Sequence, residues 1–347
     1  MSASRRACRT LHGLAAASLI LLSTALWGCG EHVQSALDPR GPQSSQIYGL
    51  WVLFIVVATV VQVGVALAVY LALFRPNRHA PEEPPAGDEP GKVKWVAAFT
   101  VVTALILVVF VFYSVRVSDA TTQLPGPETQ PVVVEVVGHQ WWWEVRYLHL
   151  QANRTFTTAN ELRIPVGRPV ILRAMSRDVI HSFWVPNLAG KIDMVPGRVN
   201  TIWFQADEPG EYRGQCAEFC GLQHAKMAFV VVAQAGHEFE AWVERYRQPA
   251  AAPLEPEAAR GEQVFLGAQC ALCHTVRGTS AWGRVGPDLT RLGSRRTLAA
   301  GTLANTRGNL AAWLVDPQGI KPGNFMPPTN LDPADLHALL TYLEGLR

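Results

Sequence analysis

The chain carries two thiols, an imidazole and a thioether within one twelve-residue segment. The segment is Cys216-Ala217-Glu218-Phe219-Cys220-Gly221-Leu222-Gln223-His224-Ala225-Lys226-Met227. Soft sulfur and nitrogen donors favour copper over Mg²⁺ or Ca²⁺, and a weak thioether bond is typical of copper electron-transfer sites. Zinc would normally take a fourth Cys or His and has little use for Met227. A Cys216–Cys220 disulfide is the simpler alternative, but it gives no reason for the other two ligand types.

A second imidazole is needed if this segment is to hold two metal ions, and His181 is the candidate. It lies in Asp178-Val179-Ile180-His181-Ser182-Phe183-Trp184-Val185-Pro186. A single histidine beside aromatic residues is more often a packed core residue than a ligand. The interpretation of His181 as a ligand therefore depends on the donor set of the cysteine segment.

The second chemical motif is Cys270-Ala271-Leu272-Cys273-His274, which has the C-x-x-C-H pattern of covalent haem c attachment. In such a site the two thiols add to the haem vinyl groups, and the histidine becomes the proximal iron ligand. A thioredoxin-like redox pair is the competing interpretation. That pair predicts a βαβ context, whereas the flanking segments 257–266, 310–315 and 333–346 look helical.

The sixth iron ligand is expected downstream, and Met326 is the only methionine after the haem motif. It lies in Asn324-Phe325-Met326-Pro327-Pro328. A methionine ligand raises the haem potential and suits electron transfer, although a lone loop methionine more often packs. The stretch Gly286-Pro287-Asp288-Leu289 resembles small cytochrome c domains, in which the proline carbonyl orients the proximal imidazole.

Two uncharged runs precede these motifs. Segments 47–74 and 95–115 contain no charged residue, and at a rise of about 1.5 Å per residue each can span a hydrocarbon core of about 30 Å. The loop between them has basic residues close to the helix ends, namely Arg75, Arg78, Lys92 and Lys94. The positive-inside rule makes this loop cytoplasmic. Segment 29–46 and everything after Val117 are then expected on the outer face of a bacterial inner membrane.

Residues 1–28 have the organisation of a bacterial export signal. A basic start is followed by an apolar run that ends at Leu26-Trp27-Gly28-Cys29. This ending resembles the lipobox of lipoproteins, in which the signal is cut before a cysteine that then carries diacylglycerol. Trp27 departs from the small residue usual at its position. An ordinary signal peptide with a chance cysteine is the alternative.

The rest of the chain divides into two outer domains. Short β-branched segments between residues 125 and 247 predict a small antiparallel sandwich or barrel, and they are 131–137, 161–166, 169–174, 200–204 and 228–232. The Ala/Pro-rich segment 248–256 predicts a linker that leaves the next domain mobile enough to dock near Trp141. Residues 257–347 then form the haem domain. Basic residues are scattered, so no nucleic-acid partner is indicated.

Together these features closely resemble subunit II of the haem-copper cytochrome c oxidases. The resemblance covers roughly residues 45–235, and besides the segments above it includes Gly138-His139-Gln140-Trp141-Trp142-Trp143 and Lys191-Ile192-Asp193-Met194-Val195-Pro196-Gly197-Arg198. It implies a two-helix transmembrane hairpin and an all-β cupredoxin-like domain. It also implies a dinuclear CuA centre whose ligands match His181, Cys216, the carbonyl of Glu218, Cys220, His224 and Met227.

The same resemblance assigns roles to neighbouring side chains. It implies that the Glu218 carboxylate binds Mg²⁺ at the boundary with subunit I and that electrons enter at Trp141. The next two residues, Trp142 and Trp143, are expected to pack. Relatives often carry a glutamate just before the second span, near the proton entrance of subunit I. Here the nearby acid is Glu89, which is followed by proline and departs from that pattern.

With an all-α, class I cytochrome c domain at its C-terminus, the whole chain resembles the caa-type oxidases. This implies an enzyme subunit that holds no complete active site. It would accept electrons from a cytochrome c or a quinol:cytochrome c reductase through haem c and CuA. Subunit I would then use them to reduce oxygen to water, coupled to proton pumping.

Two alternatives remain open from the sequence. The small subunit of a CuA-containing nitric oxide reductase has a similar organisation. A membrane-anchored copper-delivery protein is an alternative from another class. Such a protein would need neither Met227 nor the haem motif.

The lipobox resemblance makes one direct prediction. Mass spectrometry of the mature chain should find Cys29 at the N-terminus with diacylglycerol attached. Growth with an inhibitor of lipoprotein signal cleavage should leave the leader in place, which serves as the control. An intact Met1, or a free N-terminus at another residue, would exclude the lipid anchor.

Overall fold

The structure is a computed structural model that describes residues 34–74, 89–149 and 154–347. The predicted signal sequence, Cys29 and the loop before Glu89 lie outside the described residues. Along the chain, the described residues form a helical hairpin, a β-sandwich and a small helical domain.

The hairpin consists of helix α1 (Pro42–Phe74) and helix α2 (Glu89–Thr122). Both are long and apolar enough to cross a membrane, and both extend beyond the uncharged runs that predicted them. Their large apolar side chains are mostly exposed, and Phe54 meets Phe110 between the helices with ring centroids 4.4 Å apart. An apolar surface around both helices suits contact with lipid or with other membrane helices.

In the described residues, the sandwich has ten strands in two five-stranded sheets. The strands are β1 (Val132–His139), β2 (Trp142–Leu148), β3 (Phe156–Ala159), β4 (Glu161–Pro165), β5 (Val170–Ser176), β6 (His181–Trp184), β7 (Ile192–Met194), β8 (Asn200–Phe204), β9 (Gly210–Cys216) and β10 (Ala228–Gln234). One sheet has the order β3-β2-β1-β5-β8 and the other β4-β10-β9-β6-β7. The five predicted strands are confirmed.

The expectation of a purely antiparallel arrangement was wrong. Strands β1 and β5 pair in parallel, and so do β4 and β10. Strands far apart in sequence become neighbours because the chain crosses between the sheets. Strand β1 buries Val132, Val134 and Val136 on one face, as the alternation of a half-buried strand requires.

Helix α3 (Gly236–Arg247) closes the end of the sandwich and was not predicted. It buries Phe239, Trp242 and Tyr246 on one face, against aromatic residues of β2 and β3. Spacings of three and four residues place these rings on one stripe of a helix. The last turn of α3 leads directly into the predicted linker.

The C-terminal domain contains helices α4 (Pro256–Gly267), α5 (Cys270–Cys273), α6 (Arg307–Val315), α7 (Pro317–Ile320) and α8 (Pro333–Gly345), with a hairpin of β11 (Thr297–Leu298) and β12 (Leu303–Ala304). The three predicted helices correspond to α4, α6 and α8. Helices α4 and α8 approach closely at Gly261, where a methyl group would lie 2.0 Å from the Ala338 carbonyl oxygen. The Asp332 carboxylate accepts hydrogen bonds from the first backbone N–H groups of α8.

The start of the predicted linker is hydrogen-bonded to the haem domain. Ala250 N–H donates to the Arg277 carbonyl at 2.7 Å. The buried Arg291 guanidinium donates to the carbonyls of Arg245 and Gln248 at 2.7 and 3.0 Å, and it also reaches Pro249. The haem domain therefore bonds to the end of α3 and the start of the linker.

A second tether joins the copper domain to the chain just before α1. The buried Asn187 side chain accepts a hydrogen bond from Ser35 N–H at 3.0 Å and donates to the Asp38 carbonyl at 2.9 Å. Its backbone carbonyl accepts from Arg40 N–H and from the Ser44 hydroxyl. This network fixes where α1 leaves the sandwich.

Replacing Asn187 with alanine should lower the free energy of unfolding of the copper domain by about 1–3 kcal/mol, because it leaves the half-buried Ser35 N–H and Asp38 carbonyl without this partner. Urea unfolding of the full chain in detergent measures this change. Gln205→Ala, which removes an exposed bond to Asp207, should cost much less. Equal losses in the two variants would contradict the role of Asn187.

Candidate copper and haem sites

All six predicted copper ligands converge at one end of the sandwich. Cys216 Sγ lies 3.8 Å from His181 Nδ1, 3.2 Å from the Glu218 carbonyl oxygen and 3.7 Å from Cys220 Sγ. Cys220 Sγ lies 3.5 Å from His224 Nδ1 and 3.8 Å from Met227 Sδ. The ends of β6 and β9 and the loop before β10 supply these groups, so one edge of the second sheet positions the whole set.

The thiols are not joined to each other, since both are free and their sulfur atoms lie well beyond the bond length of a disulfide. The contact with Cys220 lowers the pKa of Cys216 to about 3 and raises that of Cys220, because a second thiolate would add a like charge beside the first. Both thiolates can exist together only with cations between them. Two sulfurs, two imidazoles, a thioether and a carbonyl fit a pair of copper ions.

His181 is fully buried and held from both sides. Its Nε2 lies 2.8 Å from Asp178 Oδ1, so Nδ1 is the nitrogen that faces Cys216. Asp178 also accepts a hydrogen bond from Gln140 N–H at 2.7 Å. A methyl group at Gly138 would lie 2.7 Å from the His181 ring. Sequence reasoning missed Asp178, although an acid three residues before a candidate ligand was a usable signal.

Glu218 contributes its backbone to this cluster, while its side chain points elsewhere. The carboxylate lies 3.4 Å from Lys191 Nζ, which is also 3.4 Å from Asp193. Both acids are about half exposed. The described residues thus place two carboxylates and a lysine beside the copper end, in the region where the Mg²⁺ ligand was predicted.

The three consecutive tryptophans have different environments. Trp143 is packed in the core against Phe183 and Phe229, as expected. Trp142 stacks on His139, with ring centroids 4.2 Å apart, and also lines the haem cavity described below. Trp141 is only 8% exposed, and its indole Nε1–H donates to the Cys220 carbonyl at 2.9 Å. Its ring is therefore hydrogen-bonded to the backbone of a copper-cluster residue.

The haem motif faces a largely apolar cavity of about 520 Å³. Cys270, Cys273, His274 and Met326 all line it. His274 Nδ1 lies 2.8 Å from the Pro287 carbonyl oxygen, which confirms the expected orienting contact and leaves Nε2 for iron. Burial lowers the pKa of His274 and favours the neutral imidazole that binds metal. These residues fit a covalently attached haem.

The same cavity reaches the copper domain. Gln140, Trp141, Trp142 and Asn160 line it from that side, and Lys321 lines it from the haem domain. The haem domain is therefore docked with its cavity against the tryptophan segment. Docking near Trp141 was expected from the sequence, but the particular contacts were not, because they join residues of different domains.

The fold and the two sites define a class: a protein with two membrane-length helices, a cupredoxin-like copper domain and a cytochrome c domain. Residues 148–234 match the family described as the periplasmic domain of cytochrome c oxidase subunit II, and residues 258–347 match the cytochrome c family. Cytochrome c oxidase subunit 2 of Alkalihalophilus pseudofirmus is 38% identical, over 95% of this chain and 96% of the relative. That of Bacillus subtilis is 30% identical, over 95% and 96%. The chain belongs to the cytochrome c oxidase subunit 2 family.

A solved structure shares part of this similarity. The periplasmic domain of subunit II of the Bradyrhizobium japonicum cytochrome oxidase is 32% identical, with a TM-score of 0.32, and the match covers 33% of this chain and 93% of that one. As a family member, the chain is a subunit of a haem-copper oxidase and not a copper-delivery protein. Its two matched domains imply CuA and haem c.

Replacing Cys216 or Cys220 with serine should abolish the delocalised copper EPR signal, because the two thiolates would hold and couple the copper ions. Met227→Leu should be milder, since a weak axial bond tunes the potential more than it holds metal. Cys273→Ser is the matched control and should leave the copper signal unchanged. Retention of the delocalised signal in Cys216→Ser or Cys220→Ser would contradict the ligand assignment.

Proposed function

We propose that this chain carries electrons from an external cytochrome c, or from a quinol:cytochrome c reductase, to the haem-copper subunit I. There they would reduce oxygen to water, coupled to proton pumping. The chain would be a multi-pass protein of the bacterial inner membrane, with both redox domains on the outer side. When bound, haem c and the copper pair supply the two redox couples that this transfer requires.

The observation that carries the proposal is the connection between the two sites. Trp141 lines the haem cavity, and its indole N–H is hydrogen-bonded to the Cys220 carbonyl. Gln140 Nε2–H donates to the same carbonyl at 2.8 Å. A single buried residue thus lies between the haem cavity and the copper cluster and contacts both. We assign Trp141 as the residue at which electrons enter the copper domain.

The copper ligands we propose are His181, Cys216, the Glu218 carbonyl, Cys220, His224 and Met227. The four side chains His181, Cys216, Cys220 and Met227 are buried, which excludes water from that part of the cluster. Asp178 holds the His181 ring, so this ligand needs little rearrangement when charge changes at the site. Small rearrangement is what a fast electron-transfer site requires.

For the haem, we propose that Cys270 and Cys273 would attach it through thioether bonds and that His274 and Met326 would bind its iron. Pro287 fixes the His274 ring, and Asn324 holds the loop of Met326 through its side-chain oxygen, which accepts from Met326 N–H at 2.7 Å. Gln318 Nε2–H donates to the Met326 carbonyl at 3.0 Å. The chain thus restrains both sides of the cavity where the iron would lie.

The face of the copper loop that carries Glu218 suits contact with subunit I. Phe219 and Leu222 are 76% and 71% exposed, which is unusual for large apolar side chains beside a buried cluster. We propose that the Glu218 carboxylate binds Mg²⁺ there once Lys191 is displaced. Hard carboxylate oxygens are suitable Mg²⁺ ligands.

Met326→Ala should slow the reduction of copper by an external donor at least about tenfold, because losing the methionine ligand lowers the haem potential. Trp141→Phe should slow haem-to-copper transfer while both spectra stay intact, since it keeps a ring but loses the bond to Cys220. Stopped-flow reduction, followed separately at the haem and copper bands, measures both.

Two variants serve as controls for this experiment. Met175→Ala removes a methionine far from the haem motif in sequence, and Trp282→Ala removes an exposed tryptophan that does not line the cavity. Both should behave as wild type. Copper reduction at the wild-type rate in Met326→Ala would show that haem c is not on the main path.

A further inference from the structure

Lys321 is the only lysine in residues 257–347, and it is almost completely buried, with 2% exposure. Its Nζ donates across the domain boundary to the Trp141 carbonyl at 2.7 Å. It also donates within the haem domain to the Ala299 carbonyl at 3.0 Å. The lysine therefore joins the haem domain to the backbone of the residue that we place between the two sites.

Burial at this position is energetically unfavourable for a charged amine. Among the described residues no carboxylate forms an ion pair with Lys321, and burial lowers its pKa to about 7, although Cys220 opposes the shift. A buried amine without an ionic partner does not stabilise a domain by its charge. The side chain therefore contributes through the two hydrogen bonds that it donates, to the carbonyls of Trp141 and Ala299.

The acceptor inside the haem domain is itself held in an unfavourable backbone conformation. Ala299 and Ala300 form the turn between β11 and β12, with φ of 51° and 57°. Left-handed backbone is uncommon for residues other than glycine, asparagine and aspartate. This turn points one carbonyl at Lys321 and the next, that of Ala300, at Ala228 N–H of the copper domain, at 2.9 Å. The Ala300 carbonyl therefore bonds directly to the copper domain, and the Ala299 carbonyl holds the lysine that does so.

The residues around Lys321 cover Trp141. Gln223 Nε2–H donates to the Pro322 carbonyl at 2.8 Å, and Lys226 Nζ donates to the Ile320 carbonyl at 2.6 Å. Gly323 has a φ of 82°, and a methyl group there would lie 3.3 Å from Leu222 and 3.8 Å from the Trp141 ring. Segment 320–323 therefore forms a closed cover over the tryptophan.

A rim contact flanks this cover. Arg296 N–H donates to Glu161 at 2.5 Å, and the Arg296 guanidinium pairs with Glu211 at 2.6 Å. The side chains of Arg296 and Glu211 are each more than 40% exposed, and exposed pairs contribute little. The buried Lys321 contact is therefore the better candidate for holding the domains together.

We propose that Lys321 is the positioning residue that docks the haem domain on the copper domain, with Trp141 enclosed between them, so that external donors reach the copper domain only through the haem domain. The redox roles of the two sites rest on the proposed function. The docking itself rests on the contacts alone. The side chain is not needed for α7, since only the backbone N–H of Lys321 bonds to that helix.

Lys321→Met tests the docking, because methionine has a similar length but cannot donate to either carbonyl. Hydrogen exchange is measured on the full chain with haem and copper bound. The amides of Ala228 and Arg296 report on the interface, because both donate hydrogen bonds across it. Losing the buried contacts should speed exchange at both amides about tenfold. The haem and copper spectra should stay as in the wild type, which shows that both domains are folded.

Stopped-flow reduction of the same variant gives the functional measurement. Reduction of the haem by an external donor should keep its wild-type rate, while haem-to-copper transfer should slow about tenfold. Arg260→Met is the control, since it removes an exposed haem-domain cation that pairs with Asp335 away from the copper domain. It should change neither measurement.

Two results would overturn the proposal. Wild-type exchange at Ala228 and Arg296 in Lys321→Met would show that the lysine does not hold the domains. An equal effect from Arg296→Met would show that docking is spread over the rim. Failure of the proposed function would look different, because the cysteine variants would then keep their copper signal whatever happens to exchange in Lys321→Met.

Discussion

The arrangement of both sites depends on the carbonyl group of Cys220, which accepts hydrogen bonds from the Trp141 indole and from the Gln140 amide. Cys220 belongs to the copper cluster through its sulfur, so the same residue fixes a ligand and the ring beside the haem cavity. The backbone carbonyl of Trp141 in turn accepts from Lys321. Two successive hydrogen bonds thus connect the copper loop, Trp141 and the haem domain, and the Gln140 bond supports the first of them.

The two neighbouring thiols explain why the ends of β6 and β9 and the loop before β10 come together at the copper site. Two thiolates close together repel each other, and the contact with Cys216 accordingly raises the pKa of Cys220. A site of this kind must be held open for metal by the surrounding chain. Here Asp178 fixes the His181 ring, and the core packs directly against the buried sulfurs. The long, regular sheets supply the rigidity that a loop alone could not.

The sequence indicated which candidate residues lie together more fully than it indicated the elements around them. Cysteine, histidine and methionine within one short segment have few other uses, and C-x-x-C-H is specific in a helical context, so these residues could be found without a structure. Strand β9 was not predicted because it contains two glycines, Gly210 and Gly214, and no β-branched residue. Helix α3 could have been found, since its three buried aromatic residues follow helical spacing. Lys321 could not, because its partner lies 180 residues away in another domain.

The anchored linker changes how strong the docking must be. A freely mobile domain would pay orientational and chain entropy each time it docked, and only a large interface could offset that loss. Here Arg291 and Ala250 already bind the haem domain to the end of α3, so the domain is restricted to a small range of positions. Under that restriction a few buried hydrogen bonds at Lys321 and at the Ala299–Ala300 turn suffice to select one orientation. Fusion therefore does more than raise local concentration, because it allows a small polar contact to set the geometry between two redox sites.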